Sequence, residues 1–167
     1  MSLVEGNYVA GFCKSYVRIN PNGVDLAPKN VSMIPRNSVI FLHGDRRGYL
    51  AHGSKEVRDA KPQVLPDRDG YYNFRAGCLY VLRFPEVTIP ADCTGLAFPR
   101  SSLNRLGVIK LETAVFDSGY SGEPTQTIFT PIRALVHKDE AMIQLVFLRN
   151  EKKAKNLYRG HYQHEKG

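Results

Sequence analysis

The sequence predicts a single all-β domain of the sandwich or barrel type, and three observations carry that prediction. Ten prolines and fourteen glycines are scattered along 167 residues, so the elements must be short and joined by turns. Compact or alternating apolar runs recur between those turn residues, and none is long enough for an extended amphipathic helix. A 43% hydrophobic, 23% charged composition at this length suits one globular domain with its own core.

In chain order, strands are expected over Tyr8 to Phe12, Ser38 to Leu42, Cys78 to Leu82, Val87 to Ile89, Gly107 to Ala114, Thr127 to Thr130 and Ile143 to Leu148. Pro21-Asn22-Gly23, Arg75-Ala76-Gly77, Pro90-Ala91-Asp92 and Ser118-Gly119 punctuate them, each through the φ preferences of its residues. The best helix candidate is Pro99 to Leu106, a short turn of helix whose free N–H groups and neighbouring arginine would attract an anion. From Glu151 the chain turns polar and basic, which reads as a mobile tail on a domain spanning residues 1–150.

A net charge of +7 and a pI near 9.4 favour polyanionic partners, either nucleic acid or a nucleoside triphosphate. Charge alone does not choose between them, and a solvated basic surface explains it equally well. Three widely spaced cysteines contain no C-x-x-C pair, which argues against a structural zinc site and fits a reducing cytoplasmic setting. No secretory leader or membrane-spanning run is expected.

Four segments carry the chemistry. Asn22-Gly23-Val24-Asp25-Leu26 places Asp-Leu after a glycine turn, and Pro99-Arg100-Ser101-Ser102-Leu103-Asn104-Arg105-Leu106-Gly107 puts a guanidinium beside two hydroxyls. Val115-Phe116-Asp117-Ser118-Gly119-Tyr120-Ser121-Gly122 sets a carboxylate at the mouth of a turn, and Glu140 to Phe147 carries Gln144 within an apolar strand. On physical grounds Arg100, Ser101 and Ser102 could hold phosphate oxygens or simply begin a capped helix. Asp25 and Asp117 could each be turn-forming, Tyr120 could be plain packing, and Gln144 needs a partner of some kind if buried.

In this order the four segments resemble the signature motifs of the trimeric dUTPase and dCTP deaminase superfamily, the arginine-serine-serine-leucine segment most specifically, with Pro99 standing where glycine is usual. The resemblance implies a distorted, jelly-roll-like β-barrel with little helix, assembled as a homotrimer with sites between subunits. It implies a deoxyuridine or deoxycytidine nucleotide as substrate, hydrolysed from dUTP to dUMP and pyrophosphate. Asp117 would meet the deoxyribose and orient the attacking water, and Tyr120 would stack on the sugar. Asp25 would lie near the phosphate-binding arginine. Arg100, Ser101, Ser102 and Gln144 would bind phosphate, and Arg105 would bind phosphate or hold an acid across a subunit boundary. Mg²⁺ would be held mainly through the triphosphate, with no protein cage. In the tail, Tyr162 would cover the base and Arg159 would reach phosphate.

Deamination is the alternative. The zinc-independent deaminases use a glutamate shortly after the third motif, where this chain offers Thr127 or Ile128, while Glu123 comes several residues early. Leu103 to Gly107, Glu112-Thr113-Ala114 and the tail around Tyr158 to Gln163 nevertheless resemble the deaminase branch, with Glu112 as a displaced proton carrier. A non-catalytic nucleic-acid binder, suggested by the charge and the basic aromatic tail, is the third reading.

Overall fold

The computed structural model describes residues 1–43, 46–50, 57–58, 62–110 and 114–166. In chain order the elements are β1 (Ser2–Leu3), α1 (Gly6–Val9) running into a single 3-10 turn (Ala10–Phe12), β2 (Arg18–Asn20), β3 (Gly23–Leu26), β4 (Asn30–Ile34), β5 (Val39–His43), β6 (Arg46–Leu50), β7 (Val57–Arg58), β8 (Gln63–Val64) and β9 (Tyr71–Phe74). They continue with β10 (Cys78–Arg83), β11 (Val87–Thr88), β12 (Cys93–Pro99), α2 (Ser101–Arg105), β13 (Ile109–Lys110), β14 (Ala114–Phe116), β15 (Ser121–Gly122), β16 (Thr125–Thr130), β17 (Ala134–His137) and β18 (Ile143–Arg149). The all-β expectation holds, and α2 falls where a short helix was predicted.

Two larger antiparallel sheets dominate. One runs in the order β14-β12-β18-β3-β2 with β1 added on β18, and the other runs β13-β16-β10-β4-β8. β10, β12 and β16 contribute alternate side chains to the core, as the period of two requires, whereas β3 is buried along its whole length. On β10 the residues Cys78, Tyr80 and Leu82 are buried, and directly opposite on β16 lie Thr130, Ile128 and Gln126, also buried. In the first sheet Val24, Leu26, Ala97, Leu145 and Phe147 are fully buried. Phe74 and Tyr80 meet edge to face at 4.7 Å within the same core cluster.

Two expectations are corrected. Tyr8 to Phe12 is helical, because Tyr8 and Phe12 stack edge to face at 5.3 Å one helical turn apart and the coil turns Val9 inward to full burial. Gly6 opens that helix with its N–H on Pro21 O, so close to Asn20 and Gly23 that a β-carbon would collide with their carbonyls. Gly107 to Ala114 is not one strand: Ile109 pairs with Phe129 in one sheet, whereas Ala114 pairs with Ala97 in the other. Glu112 lies outside the described residues.

Candidate active site

The sequence-nominated residues fall into two groups joined by β12. At one end of that strand the chain leaves the sheet at Arg100, whose N–H donates to Met142 O at 3.2 Å. Arg100 has an extended backbone (φ −63°, ψ 135°) and its carbonyl accepts from Asn104 N–H at 3.2 Å, but its side chain makes no cap. Its Nη1 donates instead to Asp25 Oδ2. Asp25 lies in the middle of β3 and is 1% exposed, which removes it from any turn role. Gln144 stands directly opposite Asp25 across the β3 and β18 ladder.

This first group combines a buried ion pair with two exposed hydroxyl residues. The Asp25 carboxylate is buried and satisfied on one oxygen only, for Oδ1 has no hydrogen-bond partner among the described residues. A buried charge so placed is tolerable because the guanidinium neutralises it, and the pairing fixes the direction in which the arginine presents its remaining donors. Ser101 and Ser102, at the exposed start of α2, lie immediately beyond, while buried Leu103 pins the helix to the core. Arg105 closes α2 and is exposed.

At the other end of β12 lies the second group. Phe116 is opposite Gly95, which places Asp117 beside Thr94 as the chain leaves β14. The turn that follows needs a left-handed residue, supplied by Gly119 at φ +85°. It is clamped from beneath: Ser118 Oγ donates to Cys93 O at 2.6 Å and Gly119 N–H donates to Ile89 O at 2.9 Å. Asp117 itself is exposed, and its side chain makes no hydrogen bond among the described residues, so it does not cap the turn.

Tyr120 is 3% exposed, with its ring 5.2 Å from Phe116 and 5.8 Å from Tyr158. Its hydroxyl donates to Glu165 Oε1 at 3.0 Å. Burial, reinforced by the negative charge of Glu165, pushes the phenol well above its ordinary pKa and keeps it protonated.

The tail lies across this second group. Tyr158 N–H donates to Ser118 O at 2.9 Å, Gln163 Nε2 to Gly119 O at 3.0 Å, His164 N–H to Ser121 O at 2.7 Å and Glu123 N–H to Glu165 O at 3.0 Å. Beneath it is a cavity of about 260 Å³ that Asp117, Tyr120, Gln126, Tyr158, Tyr162 and Glu165 help to line. Tyr162 is thus at the cavity, and Arg159 lines an adjoining groove with Gly119 and Gln163. Gln126, Tyr158 and Glu165 were not picked out from the sequence. For Gln126 a signal existed, since it alternates with Ile128 and Thr130 and therefore had to be a buried amide.

Arg100 and Asp117 do not converge within one chain. Between Thr94 and Arg100 the strand advances six residues, or roughly 20 Å at the usual rise. Among the described residues no group of three or more His, Cys, Asp or Glu side chains could hold a metal ion, and no helix is long and apolar enough to cross a membrane.

A family model described as dCTP deaminase-like matches residues 9–150. A Methanosarcina mazei protein described as a probable deoxyuridine 5'-triphosphate nucleotidohydrolase is 32% identical over 150 residues, covering 89% of this chain and 82% of that protein. The Methanocaldococcus jannaschii deoxyuridine 5'-triphosphate nucleotidohydrolase is 33% identical over 151 residues, covering 87% of each. In fold, the chain is similar to the 2'-deoxycytidine 5'-triphosphate deaminase of Agrobacterium tumefaciens, with a TM-score of 0.63 at 17% identity over 87% of this chain and 46% of that one. With a match running from the first core helix to the last strand of the main sheet, this chain belongs to the dCTP deaminase-like family within the dUTPase and dCTP deaminase superfamily.

Proposed function

We propose that the protein hydrolyses dUTP to dUMP and pyrophosphate at sites shared between neighbouring copies in a homotrimer. One observation carries this reading. Asp117 is an exposed carboxylate with no side-chain partner among the described residues, at the mouth of a cavity lined by aromatic rings, while the phosphate-type group around Arg100 lies at the far end of β12. Each half is ordered for a different part of a nucleotide, and a second chain is the simplest source of the missing half. The archaeal relatives, named as deoxyuridine triphosphate hydrolases, support the same substrate.

In this reading the deoxynucleoside enters the cavity with its ring against Tyr158 or Tyr162, and Tyr120 backs the sugar. Asp117 meets the deoxyribose and accepts a proton from a water aimed at the α-phosphorus. A bond forms between that oxygen and the α-phosphorus, and the α,β-bridging bond breaks to release pyrophosphate. Arg100, Ser101, Ser102 and Gln144 of the adjacent chain hold the phosphates and oppose the charge that develops there; Arg105 and Arg159 add positive charge nearby. The unpartnered Asp25 Oδ1 suits a divalent cation such as Mg²⁺ bound beside a polyphosphate, and that ion would supply further charge neutralisation. Three cysteines outside any disulfide fit a cytoplasmic setting.

Deamination is less well served. Glu123 is 8% exposed and tied to Lys29 at 2.5 Å, and Thr127 lacks the carboxylate that a zinc-independent deaminase needs. Incubation with dUTP and dCTP in separate tubes with Mg²⁺ decides the matter. dUMP and pyrophosphate from dUTP are expected, and release of dUTP or ammonia from dCTP would overturn the hydrolase reading.

A further inference from the structure

Gln126 is a buried carboxamide on an otherwise core-facing row. It is 7% exposed, opposite Leu82, and followed two residues later by Ile128 on the same face. Burying an amide there is costly unless both of its ends find partners. Gln126 finds one, and it is local: Nε2 donates to the carbonyl of its own neighbour, Thr125, at 2.6 Å. Its Oε1 accepts no hydrogen bond among the described residues. Gln126 is nevertheless among the residues that line the same cavity as Asp117 and Tyr120.

The other polar groups around that cavity are unsuited to reading a flat heterocycle. Asp117 is charged, Tyr120 and Glu165 hold one another, and Thr125 ends in a single rotatable hydroxyl. Among the described side chains that line the cavity, Gln126 alone offers an acceptor and a donor side by side in one plane, which is the pattern along a pyrimidine edge. Uracil presents a carbonyl at C4 next to an N–H at N3. Cytosine presents an amino group next to a bare nitrogen, so the order is reversed. A freely turning amide would match both, whereas one held by Thr125 can match only one.

We propose that Gln126 is the specificity-determining residue of this site, its carboxamide held by the Thr125 carbonyl in the orientation that pairs with uracil and leaves cytosine mismatched. This rests on the nucleotide-binding reading above and adds to it the group that selects the base. Asp117 and the aromatic rings hold sugar and ring without regard to the base edge, and Gln126 converts that general grip into a preference.

The test is calorimetric binding of the non-hydrolysable α,β-imido analogues of dUTP and dCTP to the wild-type protein and to Gln126→Met and Gln126→Glu, two variants of nearly unchanged shape. Gln126→Met is expected to weaken the dUTP analogue by at least about tenfold while leaving the dCTP analogue near its wild-type affinity. Gln126→Glu, which can only accept, is expected to narrow the preference further or invert it. A wild-type ratio between the two analogues in Gln126→Met overturns the proposal, and that variant decides alone if the buried carboxylate of Gln126→Glu prevents folding. Failure of the wild-type protein to bind either analogue instead overturns the nucleotide reading, and this proposal with it. Hydrolysis of dUTP with an unchanged base preference in the variant leaves the nucleotide reading intact and removes Gln126 from it.

Discussion

Replacing Arg100 tests two properties at once, because its guanidinium both faces the proposed phosphate site and neutralises a carboxylate that is 1% exposed. Arg100→Ala is expected to lose activity and also to unfold more readily, by on the order of 3 kcal/mol, since Asp25 would be left as an unpaired buried charge. Chemical denaturation checks the second effect, and Arg100→Ala with Asp25→Asn should recover much of the stability without recovering turnover. Asp117 predicts the opposite pattern. Exposed and without a side-chain partner among the described residues, it contributes little to the fold, so Asp117→Asn should lower kcat by about two orders of magnitude or more with an unchanged unfolding curve. Tyr120 gives a pH prediction. Its folded-state pKa lies above the ordinary value of 10.0, so the stability it contributes is fully present below pH 10 and is lost above it, where ionisation favours the unfolded chain. Tyr120→Phe should flatten the alkaline limb of a plot of stability against pH. Arg100 and Asp117 could be nominated from sequence because their neighbours form recognisable motifs, whereas Glu165 could not, since only the folded tail brings it to Tyr120.

The elements were legible where periodicity was clean and obscure where local packing overrode it. β10, β16 and β18 alternate or run apolar between turn residues and were anticipated within a few residues. β12, the strand that organises the site, was not among the expected runs, because Thr94, Gly95 and Pro99 break its hydrophobic pattern. Gly95 is there for space: a β-carbon would press on Ile89 and Phe116. The first helix was misassigned because Tyr8, Val9 and Phe12 have strand-like composition, and their helical state comes from packing against β2 and β3. The tail makes an element-scale prediction. Its bonds run mostly to backbone groups of residues 118–123, with Ala154 N–H on Ala91 O and Glu165 on the Tyr120 hydroxyl besides, and none of its described residues belongs to a sheet strand. Truncation after Asn150 should therefore preserve the circular-dichroism signature of the strands while reducing kcat/KM by at least about tenfold, as the cover over the cavity is removed.

For the whole molecule, the decisive feature is the distance between the two groups of site residues. If neighbouring chains complete each other, Arg100→Ala and Asp117→Asn must complement. Each is inactive alone, but mixed in equal amounts, unfolded and refolded together, they should restore about a quarter of the wild-type sites, those pairing an intact Asp117 with an intact Arg100. Absence of any recovery in refolded mixtures of confirmed oligomers would place both groups in one chain's site and contradict the strand geometry. The same geometry has a consequence for how the protein behaves in a cell. If neighbouring chains do complete each other, a solitary folded chain would be well formed yet catalytically mute, and specific activity would become a function of abundance. Dilution would silence it without denaturing it, and synthesis past the assembly threshold would switch it on.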